Sequence, residues 1–328
     1  MLQYLLRRVL FILPTLFAIS VVSFVIIQLP PGDFLSTLAA RLEAQGGELD
    51  RAQLIYLRER YGLDQPMAVQ YWRWITGIVT RGDFGLSFHF RRPVEELIWS
   101  RLGLTFGISL LTVLFVYAVA IPIGIYSAVR KYSIGDYVAT FVGFIGLAIP
   151  NFLLALVLMY VSLTVFGYNP GGLFSSEFAD APWSFAKFVN LLQHLWIPIV
   201  VVGTASTASL IRYMRANLLD ELPKPYVVTA RAKGLPETRL LTKYPVRVAS
   251  NPIVSRVGWE LPDLVSGELI VAVVLSLPTT GPLLLQALVA QDMFLAGAFI
   301  MMLSVLTVIG TLLSDILLAW LDPRIRYR

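Results

Sequence analysis

Long apolar runs alternate with polar stretches along the chain, and the run lengths set the element list. After Arg7 and Arg8, Val9 to Leu29 passes 21 residues without a charge, enough at 1.5 Å per residue to cross a hydrocarbon core of about 30 Å. The apolar core of a secretory signal is only about 7–15 residues, so this run predicts an uncleaved anchor with a cytoplasmic N-terminus. Pro30, Pro31 and Gly32 end it, and residues 31–101 are polar. Within them, Asp50 is expected to cap a helix ending at Tyr61 before Gly62, and Pro66 to open another through Tyr71, Trp72 and Trp74. Those rings suit either the headgroup level of a bilayer or the core of the small helical layer itself.

Five further runs predict spans: Leu102 to Tyr126, one within Tyr137 to Phe166, Leu195 to Ile211, Val257 to Leu277, and Ala296 to Trp320. Pro150 and Asn151 interrupt the third and predict a kink or break there, because Pro removes an internal hydrogen bond. The fourth is short and rich in Gly, Ser and Thr, which lets neighbouring helices approach closely. Tyr168 to Leu191 reads as an external loop. The expected fold is an all-α polytopic membrane protein with six transmembrane helices. Residues 1–30 form the cytoplasmic end and first span, 31–101 an extracytoplasmic helical region, 102–320 a membrane core with a cytoplasmic loop over 212–256, and 321–328 a cytoplasmic tail. No sustained repeat or low-complexity tract is present.

Composition agrees with that pattern. Hydrophobic residues make up 57% and charged residues 14%, with mean hydropathy +0.72, against about 25% charged in soluble domains. The net charge of +5 becomes informative once distributed over the topology. External segments hold 10 basic and 12 acidic residues, cytoplasmic ones 16 and 5, and the spans none and 4. The excess is therefore the cytoplasmic bias that orients a membrane protein. It implies a membrane-lipid environment and no nucleic-acid partner.

Several chemistries are excluded or disfavoured. No G-x-x-x-x-G-K-[ST] loop exists to cradle a nucleotide triphosphate, and cysteine is absent. His89 and His194 stand alone without H-E-x-x-H, so neither a metal site nor a cofactor is expected, and both read as interfacial or packing residues. No serine sits in a nucleophile elbow with a base nearby. Glu260, Asp263, Glu268 and Asp315 fall within predicted spans, where a charge costs roughly 2.5–3.5 kcal/mol and usually faces a cavity or a partner. Glu260 and Asp263 lie near the cytoplasmic end and also fit solvated boundary positions. Glu268 and Asp315 either line a path or bond within the bundle.

The 212–256 segment carries nine Lys or Arg residues, among them the run Tyr226-Val227-Val228-Thr229-Ala230-Arg231-Ala232-Lys233-Gly234-Leu235. It predicts a short helix stopped by Gly234 in the C′ position, a knob able to dock in another protein's groove. This segment resembles the T-A-R-A-K-G-L motif of permease subunits of dipeptide and oligopeptide importers of the ATP-binding-cassette (ABC) class. Arg7-Arg8, Pro31-Gly32-Asp33, Tyr61 to Pro66, Gly82-Asp83-Phe84-Gly85-Leu86-Ser87, Ile121-Pro122-Ile123-Gly124 and Leu321 to Tyr327 also look like that family, in order along nearly the whole chain.

The resemblance implies a type I importer permease fold with an extracytoplasmic helical insertion after the first helix. It also implies a dimer with a homologous second permease, two ATPase subunits and an extracytoplasmic solute-binding protein. Thr229, Ala230 and Gly234 would be the coupling positions, with Arg231 and Lys233 presenting charge to the ATPase. Glu268, Asp263 and Asp315 become candidates for the substrate path. The chain departs from the pattern in places. Val228-Thr229-Ala230 replace the general Glu-Ala-Ala, Arg101-Leu102-Gly103 stand where a Leu-Pro pair is common, and Leu275 to Gly281 replaces F-S-x-P-G-x-G. A proton-coupled transporter or channel using Glu268 and Asp315 is the competing reading. An intramembrane enzyme would have only Asp263 and Asp315 as an aspartate pair.

Overall fold

A computed structural model describes residues 2–28, 59, 64–179, 181–253 and 269–321. Its helices are α1 (Leu2–Gln28), α2 (Met67–Arg81), α3 (Val94–Val129), α4 (Ile134–Ala148), α5 (Asn151–Val161), α6 (Phe185–Glu221), α7 (Pro225–Ala232), α8 (Glu237–Lys243), α9 (Pro245–Ala249), α10 (Leu269–Val274), α11 (Thr280–Val289) and α12 (Met293–Leu321). A π-helical turn, Ser162–Phe166, extends α5. The described residues contain no β-strand, only an isolated bridge between Leu86 and Pro93. All but Glu59 of the predicted Asp50–Tyr61 helix, and most of the fifth span, Val257 to Glu268, lie outside the described residues; Leu269 onward emerges as α10.

Three helices among the described residues are long and apolar enough to cross a membrane: α3, α6 and the Met293–Leu312 part of α12. A fourth crossing is available to the pair α4 and α5 with its π turn, bent by 101°. The bend has a local cause. Ile149 precedes Pro150 and is extended, at φ −84° and ψ 121°, as the proline ring demands of its neighbour; Pro150 then becomes the N-cap of α5. Pro122 and Pro198, by contrast, sit inside the continuous helices α3 and α6.

Two helices are longer than their apolar runs suggest. α3 begins at Val94, with Glu95 and Glu96 in its first turn, where carboxylates oppose the positive end of the helix dipole. α6 starts at Phe185, behind a Ser184 cap that accepts from the Lys187 N–H at 3.2 Å, and runs on past Ile211 to Glu221. Hydropathy registers only the apolar middle of such a helix, whereas Arg-Tyr-Met-Arg-Ala-Asn-Leu-Leu continues it on ordinary helix propensity. The stretches read as loops at 168–191 and from Arg212 are therefore partly helical.

The chain divides into two compact units, 1–103 with 279–308, and 104–278 with 309–328. In the first, Val94, Leu97 and Ile98 of α3 pack with Leu283 and Ala287 of α11 and with Leu295 and Phe299 of α12. Beside this core, Asp292 is fully buried. It accepts from the Ser87 hydroxyl at 2.5 Å, the His89 N–H at 3.1 Å and the Leu295 N–H at 3.3 Å, so one carboxylate caps α12 and anchors the 82–93 loop. Gly85 in that loop has φ 95°, and a Cβ there would lie 3.1 Å from the Phe294 ring. Separately, α1 meets α2 through Phe24 against Tyr71 and Trp74 and through the Ser20 and Tyr71 hydroxyls, 2.8 Å apart.

In the second unit α6 is the hub. Ile197 and Val201 pack with Ile108, Ala155, Val271 and Leu275, and farther along Leu210, Ile211, Met214 and Leu218 pack with Val116, Ala120 and Ala249. Small residues sit on both sides of its close crossings: a Cβ on Gly146 of α4 would lie 2.7 Å from Thr204 of α6, and one on Gly203 of α6 3.0 Å from the Phe115 ring. Facing away from the core, Phe141, Val142, Phe144, Leu156, Val157 and Tyr160 are exposed, an apolar surface suited to lipid. Near the start of α6, buried Lys187 donates to the Ala181 carbonyl at 2.6 Å and the Ala179 carbonyl at 3.3 Å. His194 is also buried, its Nδ1 2.8 Å from the Asn190 carbonyl, while His89 is exposed.

Candidate functional site

The polar segment after α6 is built on two short helices. Pro225 occupies the first turn of α7, where its missing N–H costs nothing. Val227 and Ala230 turn inward and bury against Leu240 of α8, with Leu235, Leu241 and Tyr244 around them. Alternation on this helix leaves Tyr226, Val228, Thr229, Arg231, Ala232, Lys233 and Gly234 exposed on a continuous outer surface. Lys233 is the C-cap, and Gly234 follows at φ 75°, with no atom within 4 Å of the point where a Cβ would stand. Only a left-handed residue continues the chain there, which favours glycine.

The candidate coupling residues thus occupy one segment with different roles in it. Thr229 is exposed and donates its hydroxyl to the Pro225 carbonyl at 2.8 Å. Ala230 belongs to the small core. Arg231 is paired with Glu237 at 2.7 Å, both half-exposed. The hydrogen bond between them raises the pKa of Arg231 and lowers that of Glu237. Lys233 is exposed and has no carboxylate partner among the described residues.

The mounting of α7 is not marked in the sequence as a functional feature. Glu221, the last residue of α6 and buried, accepts from Lys224 Nζ at 2.5 Å and the Tyr226 hydroxyl at 2.5 Å. Burial, with the bond to Glu221, pushes the Tyr226 phenol well above its ordinary range. Two turns earlier, Arg215 holds Asp136 of α4 in a bidentate pair, Nε to Oδ1 and Nη2 to Oδ2, each 2.8 Å. Asp136 also accepts from the Tyr132 N–H at 2.9 Å. Asn217 donates to the Ala249 carbonyl at 3.2 Å and ties α9 to the same helix. α7 is thereby joined through α6 to α4 by charge-assisted bonds, the strong kind. The spacing of Glu221 and Lys224 is a helical i, i+3 signal; nothing in the sequence marks Asp136 and Arg215 as partners.

Glu260, Asp263 and Glu268 lie outside the described residues, and Asp315 falls on the helical course of α12.

Long apolar helices with lipid-suited faces, one of which carries a polar helical knob at its end, define a helical membrane protein. The chain belongs to the family of binding-protein-dependent transport system inner membrane components, whose model matches residues 120–327; the N-terminal region of such membrane components matches residues 1–110. It is 38% identical over 331 residues to the oligopeptide transport system permease protein AppB of Bacillus subtilis (strain 168), covering all of both chains. It is 33% identical over 328 residues, again covering all of both, to the glutathione transport system permease protein GsiC of Salmonella paratyphi A and of Escherichia coli (strain K12). The protein is accordingly the permease subunit of an ABC importer, a multi-pass inner-membrane protein.

Proposed function

We propose that this permease forms the path for peptides or similarly sized solutes and couples it to ATP hydrolysis through α7. The relatives named for oligopeptide and glutathione transport support a peptide-type solute. In this reading the chain crosses the membrane six times with both termini cytoplasmic, and residues 31–101 form an extracytoplasmic helical region. Residues 212–256 face two ATPase subunits, a second homologous permease completes the path, and an extracytoplasmic binding protein delivers the solute. Glu268, Asp263 and Asp315 line the path.

The observation that carries the coupling role is the combination of exposure and stiffness. α7 presents Val228, Thr229, Lys233 and Gly234 outward, yet its base is locked to Glu221 and, through Arg215, to α4. A knob on a loose loop would absorb the motion of a partner; one bonded to the central helix passes it on. Movement of the ATPase groove then turns α6 and α4 together and changes which side of the path is open.

The chain has no cysteine, so Val228→Cys supplies a unique thiol on the exposed face. In the assembled complex it is expected to cross-link to an ATPase subunit through a short bifunctional reagent, while Val227→Cys, facing the small core, is not. Equal cross-linking at both positions, or uptake driven by a pH gradient without any ATPase, would overturn the assignment.

A further inference from the structure

A cavity of about 170 Å³ lies in the first unit, where the Gln28 end of α1 meets α2 and the start of α12. We propose that it holds the phosphate of an anionic phospholipid headgroup. The proposal rests on reading α1 as a membrane span.

Size narrows the occupant first. Pockets that engulf drug-sized ligands measure about 300–1,000 Å³, so a peptide solute is too large. At about 170 Å³ the space suits a phosphate and the atoms attached to it.

The lining selects an anion. Arg73, Gly77 and Arg81 recur at four-residue steps on α2, which puts both guanidinium stems on one face with only a glycine between them. Neither arginine has a carboxylate partner among the described residues. Asp83 also lines the cavity and accepts from the Gly85 N–H at 2.9 Å, so the charged lining remains net positive. Arginine matches phosphate oxygens in a bidentate fork. Trp74 supplies an independent sign of a missing acceptor: it is only 6% exposed, lines the cavity, and its indole N–H has no partner among the described residues.

Position selects a lipid as the source of that phosphate. Leu10, Leu13, Phe17, Val22 and Val25 of α1 are exposed along the helix that leads to the cavity, a ready surface for acyl chains. The cavity begins where this apolar course gives way to Gln28, at the extracytoplasmic interface, the level where Trp and Tyr rings collect and the phosphates of the outer leaflet lie.

The test uses the assembled transporter and a phosphatidylglycerol carrying a photoreactive group beside its phosphate. Labelling is expected within residues 70–81, at least tenfold lower in Arg73→Gln/Arg81→Gln and about threefold lower in Trp74→Phe, with the thermal midpoint unchanged. Unlabelled phosphatidylglycerol should compete, and phosphatidylcholine or inorganic phosphate at the same concentration should not. Equal competition by phosphatidylcholine, competition by inorganic phosphate alone, or wild-type labelling of the double variant overturns the site. Phe17→Cys separates this from the span: a thiol shielded from aqueous maleimide keeps α1 in the membrane whatever the lipid result, and a reactive one removes the span and the headgroup site together.

Discussion

Asp136 and Asp292 are both buried carboxylates at the start of a helix, yet they are held in opposite ways. Asp136, in the first turn of α4, is neutralised by the guanidinium of Arg215, 79 residues away on α6. Among the described residues, Asp292 has only neutral donors around it: a serine hydroxyl and backbone N–H groups, which close the 82–93 loop onto the start of α12. A buried charge pair makes two helices depend on each other, because each partner is costly alone. A cap with neutral donors fixes a local shape and leaves no second charge to strand. In the coupling proposal the first arrangement lets α4 and α6 move as one piece behind α7, while the second holds a loop in one form.

Substitutions can break this contrast, beginning with the largest expected effect. Arg215→Met leaves Asp136 buried without its counter-charge and should cost about 3–5 kcal/mol, while Asp136→Asn with Arg215→Met recovers much of the loss. Thermal unfolding of the purified complex checks both; a double variant as unstable as the single would remove the charge argument. Asp292→Ala loses the α12 cap and strands the Ser87 hydroxyl, for about 2–3 kcal/mol in sum, and Asp292→Asn, which keeps an acceptor, should cost less than half of that. Equal loss from both would mean that the negative charge itself matters at this site. Gly85→Ala forces a side chain into a positive-φ position 3.1 Å from Phe294, expected at about 1–2 kcal/mol, measured by the same unfolding. Thr229→Val keeps the side-chain volume and loses only an exposed bond to Pro225, so stability should stay within about 0.5 kcal/mol.

The contrast also separates what can be read from the sequence from what cannot. Apolar run length locates α3, the broken α4–α5 pair, α6 and α12, and Pro150 marks the break, because those signals are local. The stop at Gly234 is visible for the same reason: a helix ended by glycine has a left-handed residue after its cap. The polar ends of α3 and α6 escape such a reading, since a hydropathy pattern falls silent where a helix leaves the apolar zone while its backbone bonds continue. The Ser87–Asp292 and Asp136–Arg215 contacts join residues 205 and 79 positions apart, and no periodicity in one chain encodes such a pairing. The Gly82 to Ser87 motif is recognisable as family-like, but its physical reason, a hydroxyl and a tight glycine turn serving a carboxylate on another helix, requires the fold. Sequence separates Thr229, Ala230 and Gly234 as motif positions from Arg231 and Lys233 as charges, whereas the backbone sorts them differently, into an inward alanine, a paired arginine and an outward lysine and glycine.

That sorting leads to the most direct test of the coupling account. Gly234 faces open space, and Asp tolerates the left-handed region better than most side chains, so Gly234→Asp should fold and insert normally while placing a bulky negative charge on the outer end of α7. The measurement is ATP-dependent solute uptake by the reconstituted importer carrying this substitution, with membrane insertion and thermal midpoint recorded alongside. Uptake abolished in a correctly inserted complex of unchanged stability is the predicted result; uptake at the wild-type rate would contradict the claim that α7 couples the permease to its ATPases.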